Sequence, residues 1–334
     1  MSNKKTVAVL GAGNMGTAIA HVLADNGHLV KIWNWEGDSL PLQQIDKYHE
    51  NKKYLPGVKL PHNVIPCYKI AEAVKKAEVI FFVVPSGVME HTISFVARNI
   101  KHNAVLVDVS KGIDHDSLAL IPFIMIKHVR SELKKNVVSI SGPAIARQLA
   151  ERRFTAMNIA GKNSRAVKRV QSVLENDYVK LIPADDMVGV EVGGSFKNVY
   201  AIAMGICDAC GYGLNTKAAL IVNALEEIGD LIKVLGGKKS TAYELSGLGD
   251  LIGTSLCPDS RNRKFGEYLG RGLSGKEALK KVKQTVEGVE AVKCLVCLSE
   301  QHKVSLPFAR MVYNCIFGRR AAAKVLVVYL QSLQ

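Results

Sequence analysis

Lys197 is the residue most suited to chemistry, because it lies in an otherwise apolar part of the chain. Across residues 187–207 only Glu191 and Lys197 carry a formal charge, and apolar residues recur at helical spacing from Phe196 onward. A desolvated ammonium loses hydration, which lowers its pKa and allows proton exchange near neutral pH. The pattern predicts a general acid or base near the first turn of a buried helix whose start is loosened by two glycines.

Two ordinary explanations compete with this prediction. The Lys197 side chain can extend to the surface along its apolar stem, or it can pair with Glu191. A second acid is available in G-L-G-D-L, where Asp250 lies between glycines and a helix-like segment. Asp250 either caps that helix or has a functional role, and the residues alone leave both interpretations open.

Ser260, Arg261 and Asn262 form a polar cluster at a predicted helix start. A helix N-terminus donates N–H groups, and a guanidinium can bind two oxygens of one phosphate, so the cluster suits a phosphate dianion. The alternative is an ordinary solvated helix face, since Arg263 and Lys264 follow directly.

The N-terminal part carries G-A-G-N-M-G at residues 11–16, directly after the apolar run 6–10 and before a helix-like segment. In the dinucleotide fingerprint Gly11 permits the tight turn, Gly13 lets the backbone approach a pyrophosphate, and Gly16 allows close packing of strand and helix. The free N–H groups of the helix start then face the phosphates. The alternative is that these glycines only make a turn.

The residues after the second strand bear on the choice of cofactor. Glu36 lies twenty positions after Gly16, near the usual place of an acid that binds the ribose of NAD, and Asn34 ends the strand. The first arginine is Arg98, so no guanidinium is available there for the 2′-phosphate of NADP. With Lys31 nearby, we predict that both cofactors work and that NADH is modestly preferred.

Strand and helix patterns alternate through the first half of the chain, which predicts a Rossmann-like doubly wound α/β sheet in residues 1–186. Residues 187–334 are predicted to form a second, all-helical domain that binds substrate and carries catalysis. Because ligands bind at the carboxyl ends of strands, Pro85, Lys111 and Gly142 should face the crevice. The predicted strands are residues 6–10, 29–33, 79–84, 104–109, 137–141, 155–160 and 178–182. One predicted helix ends near residue 100, and another covers residues 164–174. A further helix is predicted from a cap at Asn215 or Thr216 to the glycines at 236–237.

Composition indicates a soluble globular protein. The 334 residues are 48% hydrophobic and 22% charged, and no charge-free apolar run reaches membrane-spanning length. The net charge of +14 is dispersed, which favours small anionic ligands over nucleic acid. Seven cysteines without a secretion signal predict reduced thiols in the cytoplasm, and the two C-x-x-C pairs in helical, apolar surroundings predict no metal site.

The sequence resembles the NAD(P)-dependent glycerol-3-phosphate dehydrogenase family over nearly its whole length. The motifs that carry the resemblance are G-A-G-N-M-G-T-A-I-A, N-K-K-Y-L-P-G-V-K-L-P from residue 51, S-K-G-I from 110, S-G-P from 141, G-G-S-F-K-N-V-Y-A-I-A from 193, G-L-G-D-L from 247 and S-R-N-R-K-F-G from 260. The combination of K-N-V-Y-A, G-L-G-D-L and S-R-N-R is the selective part.

The resemblance implies roles for individual residues. Lys197 would transfer the proton, with Lys111 and Asp250 as further catalytic residues. The residues implied to line the substrate are Lys111, Gly142, Ala144, Lys197, Asp250, Ser260, Arg261 and Asn262. The residues implied to bind the dinucleotide are Gly11, Gly13, Asn14, Met15, Gly16, Trp35, Pro85, Lys111, Ala146, Arg261 and Glu287.

The resemblance implies reversible reduction of dihydroxyacetone phosphate to sn-glycerol 3-phosphate with NAD(P)H, which supplies glycerophospholipid synthesis. We expect no nucleic-acid or membrane partner, and a homodimer is compatible with the sequence. The alternatives are another two-domain NAD(P)-dependent dehydrogenase, for a hydroxy acid or a sugar phosphate, and a non-enzymatic NAD-binding redox regulator.

Overall fold

Short apolar runs in the first half of the chain become the strands of one sheet. The computed structural model describes residues 4–258, 260–283 and 285–333. The strands are β1 (Thr6–Leu10), β2 (Leu29–Trp33), β3 (Val64–Cys67), β4 (Val79–Phe82), β5 (Val105–Asp108), β6 (Val137–Ser141), β7 (Thr155–Gly161) and β8 (Val179–Ala184). Within the described ranges they pair in the order β3-β2-β1-β4-β5-β6-β7-β8. Every pair is parallel except β6 with β7, so the sheet is mixed.

Helices cover the two faces of this sheet. They are α1 (Asn14–Asp25), α2 (Leu40–Tyr48), α3 (Ile70–Val74), α4 (Met89–Val96), α5 (Ile121–His128), α6 (Ser131–Lys134), α7 (Ala146–Ala150) and α8 (Ser164–Leu174). Alternate strand residues enter different cores: Val107 belongs to the cluster that contains Ile19 of α1, whereas Leu106 belongs to the cluster that contains Ile93 of α4. Strands buried on both faces explain why their sequences are almost uniformly apolar.

The predicted Rossmann-like sheet is confirmed, with small differences at the strand ends. Strands β1, β2 and β6 have the predicted bounds, whereas β4 and β5 end two residues and one residue earlier than predicted. Strand β3 was not predicted, because Pro66 interrupts its apolar pattern. A proline is tolerated there since β3 is the edge strand.

The second half of the chain is helical, as predicted. Its helices are α9 (Met187–Ala209), α10 (Leu214–Val234), α11 (Asp250–Ser255), α12 (Arg261–Gly270), α13 (Gly275–Val282), α14 (Glu287–His302), α15 (Pro307–Phe317) and α16 (Ala322–Gln331). A 3₁₀ turn covers Lys239–Tyr243, and a π-helical turn covers Leu245–Gly249 directly before α11. The start of α10 was predicted wrongly: Gly213, with extended backbone, precedes it, so neither Asn215 nor Thr216 is the cap.

The helix that carries Lys197 begins earlier than predicted. Lys197 lies in the middle of α9 and not in its first turn, so that prediction was wrong. The glycines before it do not loosen the helix. A Cβ atom on Gly193 would lie 2.9 Å from the Ser246 carbonyl oxygen, so this glycine permits α9 to contact the π-helical turn closely.

The chain divides into two compact units. One comprises the residues up to Asp114 together with Ala119–Met187, and the other comprises His115–Leu118 together with the residues from Val188 onward. No pattern in the sequence indicates that the short segment His115–Leu118 belongs with the helical unit. Among the described residues, no helix is both long enough and apolar enough to span a membrane.

Candidate functional site

The glycine turn between β1 and α1 has the geometry that the fingerprint requires. Gly11 has a positive φ of 109°, and a Cβ atom there would lie 2.4 Å from the Val83 carbonyl oxygen. A Cβ atom on Gly16 would lie 1.8 Å from the Gly11 carbonyl oxygen, so both positions exclude a side chain. A Cβ atom on Gly13 would have no protein atom within 4 Å. The open side of Gly13, at the start of α1, fits a pyrophosphate that approaches the backbone.

Two buried asparagines hold this turn, and sequence reasoning did not assign them that function. The Ala12 amide donates to Asn34 Oδ1 at 3.0 Å, and Asn51 Nδ2 donates to the Ala12 carbonyl at 2.8 Å. Asn51 Nδ2 also donates to Thr17 Oγ1 of α1 at 2.8 Å. The available signal was that Asn34 ends β2 and that Asn51 opens the N-K-K-Y-L-P motif.

The two acids that follow β2 have different environments. Glu36 is exposed in a 3₁₀ turn that covers Glu36–Asp38. Asp38 accepts hydrogen bonds from Lys53 Nζ and from the Tyr54 hydroxyl, both at 2.7 Å. Although burial alone would raise its pKa, these bonds hold the pKa of Asp38 below its usual value. Trp35, with 62% of its surface exposed, also follows β2 and lies against Gly37.

The carboxyl ends of β4, β5 and β6 bring together the residues predicted to face the crevice. Pro85 follows β4, Lys111 follows β5 and Gly142 follows β6, and these three strands are neighbours. Lys111 Nζ donates to the Gly142 carbonyl oxygen at 3.2 Å, which joins two of the predicted residues directly. The remaining predicted residues of this unit are Asn14 and Met15 in the first turn of α1, and Ala144 and Ala146 at the start of α7.

A buried acid lies at the end of β5, just before Lys111. Asp108 is fully buried, and its Oδ1 accepts from the Ser110 amide at 2.9 Å. Ser110 Oγ in turn donates to the Val84 carbonyl at 2.9 Å, which ties the end of β5 to the end of β4. Desolvation raises the pKa of Asp108 to about 7, and among the described residues Oδ2 finds no hydrogen-bond partner. The sequence pattern predicts Asp108 only as part of a strand.

In the helical unit, Lys197 is buried and paired with Asp250. The lysine is 6% exposed and the aspartate 2% exposed, which excludes a side chain that extends to the surface. Lys197 Nζ donates to Asp250 Oδ1, which lies at the first residue of α11 after the π-helical turn. The structure therefore brings together two residues that the family resemblance implies for catalysis.

The starts of α12 and α14 meet beside α9. Ser260 caps α12, because its hydroxyl oxygen accepts from the Arg263 amide at 3.3 Å. Asn262 is buried, and its Oδ1 accepts from the Gly288 amide at 2.9 Å, so its amide group ties α12 to α14. An Arg261 Nη atom lies 4.0 Å from a Glu287 carboxylate oxygen. These predicted residues therefore form one cluster in the helical unit.

Asn198 connects this cluster to Lys197, and sequence reasoning missed it. Asn198 directly follows Lys197 in α9, and its Nδ2 donates to Glu287 Oε2 at 2.8 Å. A Cβ atom on Gly288 would lie 2.6 Å from the Asn198 carbonyl oxygen, so α14 contacts the backbone of α9 at this point. The signal was the asparagine in K-N-V-Y.

A second contact fixes the start of α12 on α9. A Cβ atom on Gly205 would lie 1.9 Å from the Arg263 carbonyl oxygen, and one on Gly266 would lie 1.9 Å from the Ile202 carbonyl oxygen. Arg263 Nε also donates to Asp208 at 2.6 Å. Burial alone would raise the pKa of Asp208, but hydrogen bonds from Lys217 and Arg263 lower it. Arg263 is therefore committed to holding the helix, whereas Arg261 is about half exposed.

The two units offer complementary chemistry. The strand-rich unit fits a dinucleotide through the open glycine turn and the start of α1. The helical unit offers a buried ammonium on α9, and Asn198 and Glu287 link the same helix to a helix start that carries a guanidinium. Among the described residues, no group of three or more His, Cys, Asp or Glu side chains could hold a metal ion.

Comparisons with known proteins agree on one family. A family model described as NAD-dependent glycerol-3-phosphate dehydrogenase N-terminus matches residues 6–167, and one described as the C-terminus of the same family matches residues 186–327. A glycerol-3-phosphate dehydrogenase [NAD(P)+] from Bacillus velezensis is 39% identical over 314 residues, which cover 94% of this chain and 90% of that protein. The protein of the same name from Bacillus subtilis has the same identity and coverage.

A solved structure shows the same similarity in three dimensions. The crystal structure of glycerol-3-phosphate dehydrogenase from Coxiella burnetii aligns with a TM-score of 0.91 and 32% identity, and covers 98% of this chain and 99% of that chain. The similarity therefore extends over both units.

Proposed function

Because the chain belongs to the NAD-dependent glycerol-3-phosphate dehydrogenase family, we propose that its residues carry out the family reaction as follows. The protein is an NAD(P)-dependent enzyme that interconverts dihydroxyacetone phosphate and sn-glycerol 3-phosphate, and so serves glycerophospholipid metabolism. Its relatives do not favour a hydroxy-acid dehydrogenase or a redox regulator. The assignment of individual residues is our proposal.

Lys197 donates the proton that the reduced ketone oxygen needs, and removes it in the reverse direction. The observation that supports this role is the buried ion pair with Asp250. A carboxylate beside the ammonium fixes its position and favours its charged form, and Lys197 takes its proton back from solvent after each turnover. When bound, NAD(P)H supplies the hydride for the ketone carbon.

Lys111 stabilises negative charge on the same oxygen, and the Gly142 carbonyl orients its ammonium. Ser260, Arg261 and Asn262 bind the phosphate of the substrate, which lets remote binding energy position the reacting carbon. Asn262 would act through its Nδ2 donors, since its Oδ1 accepts from Gly288. Ala144 lies after β6 and would act through its backbone.

The glycine turn and the start of α1 would hold the dinucleotide, and the open side of Gly13 would let its pyrophosphate approach the backbone. Trp35 and Pro85 would contact its adenosine part and its central part, from the ends of β2 and β4. The family resemblance also assigns Ala146 of α7, Arg261 and Glu287 to dinucleotide binding. Glu287 is supported by its hydrogen bond from Asn198, which couples this contact to the helix that carries Lys197.

Three further features belong to the proposal. We place the enzyme in the cytoplasm, where its seven unpaired cysteines stay reduced. We expect no nucleic-acid partner, because the charge of +14 is dispersed along the chain. A homodimer is compatible with the sequence, and sedimentation velocity across a range of protein concentrations tests it.

The test of the proposed function is oxidation of NADH and of NADPH with and without dihydroxyacetone phosphate. The enzyme should oxidise the cofactor only when the phosphorylated ketone is present. Binding of dinucleotide without ketone-dependent turnover would instead favour a regulator, and turnover of 2-oxo acids would favour another dehydrogenase.

A further inference from the structure

A lysine outside the glycine turn is held at the carboxyl end of β2. Lys53 Nζ lies 2.7 Å from Asp38 Oδ1, and the Tyr54 hydroxyl lies 2.7 Å from Asp38 Oδ2. The Lys53 side chain is 38% exposed, whereas the Asp38 side chain is 13% exposed. The ammonium is therefore both restrained and accessible to a ligand.

Hydrogen bonds link this ion pair to the glycine turn. Asn34 Nδ2 donates to the Asp38 carbonyl at 2.8 Å, and Asn34 Oδ1 accepts from the Ala12 amide within G-A-G. The ion pair and the turn are thus parts of one network. In dinucleotide-binding sheets of this topology, the ribose that carries or lacks a 2′-phosphate lies beside the residues that follow the second strand.

The other nearby cations are used elsewhere. Lys31 Nζ donates to the Glu72 carbonyl at 2.8 Å, and Lys52 Nζ lies over the Tyr48 ring, 4.2 Å from its centroid. The first arginine of the chain is Arg98. Lys53 differs from these two lysines, because it pairs with a side chain of the turn that follows β2.

We propose that Lys53 is the residue that lets this site accept the 2′-phosphate of NADP, and that Asp38 limits this acceptance. An ammonium has three donors, so Lys53 can contact a phosphate while it keeps its bond to Asp38. The Asp38 carboxylate repels the same phosphate, so the two residues act in opposite directions. The inference rests on the proposed function, because it assumes that a dinucleotide binds at the glycine turn.

Equilibrium binding tests the inference without reference to turnover. The chain contains two tryptophans, Trp33 and Trp35, and both flank Asn34, so their fluorescence reports titrations with NAD⁺ and NADP⁺. Adenosine 2′,5′-bisphosphate serves as a probe that carries the 2′-phosphate without nicotinamide. Calorimetry with the same three ligands provides a second readout.

Lys53→Met should raise the Kd for NADP⁺ and for adenosine 2′,5′-bisphosphate by roughly tenfold, because one charge-assisted hydrogen bond is lost. The Kd for NAD⁺ should change less than about twofold, since no 2′-phosphate is involved. Asp38→Asn should change selectivity in the opposite direction and lower the Kd for NADP⁺. Lys52→Met is the matched control, because it removes the same charge from the adjacent residue.

Three results would overturn the inference. The first is an unchanged ratio of the NADP⁺ and NAD⁺ affinities in Lys53→Met. The second is a change of this ratio in Lys52→Met that equals the change in Lys53→Met, because it would indicate a general electrostatic effect of positive charge. The third is weaker NADP⁺ binding in Asp38→Asn while NAD⁺ binding is retained. Failure of the wild type to bind either dinucleotide would overturn the proposed function as well, whereas the three results above leave it intact.

Discussion

Lys197 donates a hydrogen bond to Asp250, and both side chains are almost completely buried in the helical unit. A buried ion pair is seldom more stable than two well-packed apolar side chains, because both charges lose hydration. Stability alone therefore does not account for a lysine and an aspartate at these positions. A buried, paired ammonium is instead a candidate for proton transfer.

The first prediction is that Lys197→Met lowers kcat by roughly 10²- to 10⁴-fold, the usual contribution of a general acid or base. Dinucleotide binding should stay within a few-fold of wild type, because the glycine turn belongs to the other unit. Steady-state turnover of dihydroxyacetone phosphate and fluorescence titration with NAD⁺ measure the two effects.

This variant leaves Asp250 buried without its partner, so it needs controls. Combining Lys197→Met with Asp250→Asn removes both charges and should restore much of the lost stability while turnover stays low. Lys293→Met removes a surface lysine that pairs with Glu290 and should leave kcat unchanged. Wild-type kcat in a folded Lys197→Met enzyme would contradict the proposed role.

The second prediction concerns Arg261 and the phosphate of the substrate. Arg261→Ala should lower kcat/KM for dihydroxyacetone phosphate by about 10- to 100-fold, because a charge-assisted contact to the phosphate is lost. The penalty should be much smaller with unphosphorylated dihydroxyacetone, which should be a very poor substrate of the wild type. Competition between the two ketones in one assay gives the comparison directly.

The matched control for this prediction lies just beyond the other end of the same helix. Arg271 follows α12, and its guanidinium lies 3.9 Å from Glu267 at the surface. Arg271→Ala should have little effect on either substrate. An equal loss with both ketones in Arg261→Ala would show that Arg261 acts on something other than the phosphate.

Much of the fold follows from the sequence, because the decisive signals are local. The apolar runs, the glycine turn and the helical spacing after residue 187 predict the sheet, the dinucleotide turn and the helical second half. What the sequence could not show is why a glycine is present. Gly193 reads as a helix breaker, yet it lies inside α9 because the π-helical turn contacts the helix there. Tertiary packing therefore explains this glycine, and local sequence does not reveal it.

The residues of the candidate site were likewise predicted only in part from the sequence. Lys197 stands out as an isolated charge and Arg261 as part of a polar cluster at a helix start, whereas the resemblance to a family supplied the roles of Asp250 and Glu287. The asparagines at 34, 51 and 198 were missed, because each acts through a hydrogen bond to a residue distant in sequence. The Lys53 to Asp38 ion pair was missed for the same reason, since fifteen positions separate the two residues.

The third prediction concerns the contact between α9 and α12. Gly205→Ala places a methyl group where the Arg263 carbonyl lies, so it should destabilise the enzyme by about 1–3 kcal/mol. It should also raise KM for dihydroxyacetone phosphate, because the start of α12 moves. Gly213→Ala, where a Cβ atom meets open space, should cost less than about 1 kcal/mol. Chemical denaturation and steady-state kinetics measure both effects, and equal stability of the two variants would contradict the contact.

The fourth prediction is a pH dependence of stability that originates at Asp108. Desolvation raises the pKa of this buried carboxyl from the usual value of 3.8 to about 7 in the folded protein. Between these two values the folded state binds the proton that the unfolded state has released, so Asp108 lowers the free energy of unfolding as pH rises from about 4 to 7. The difference accumulates to on the order of 4 kcal/mol above pH 7.

Asp108→Asn should remove this dependence, because an amide does not titrate. The informative quantity is the change of the free energy of unfolding with pH. Its value at a single pH is less informative, because the introduced amide places a buried NH₂ group where Oδ2 finds no partner among the described residues. Relative to the wild type, the variant should therefore gain stability as pH rises from about 5 to about 8, whatever its stability at one pH. Asp46→Asn, at an exposed position of α2, is the control and should follow the wild-type curve. Parallel curves for Asp108→Asn and wild type would show that the Asp108 carboxyl ionises normally despite its burial.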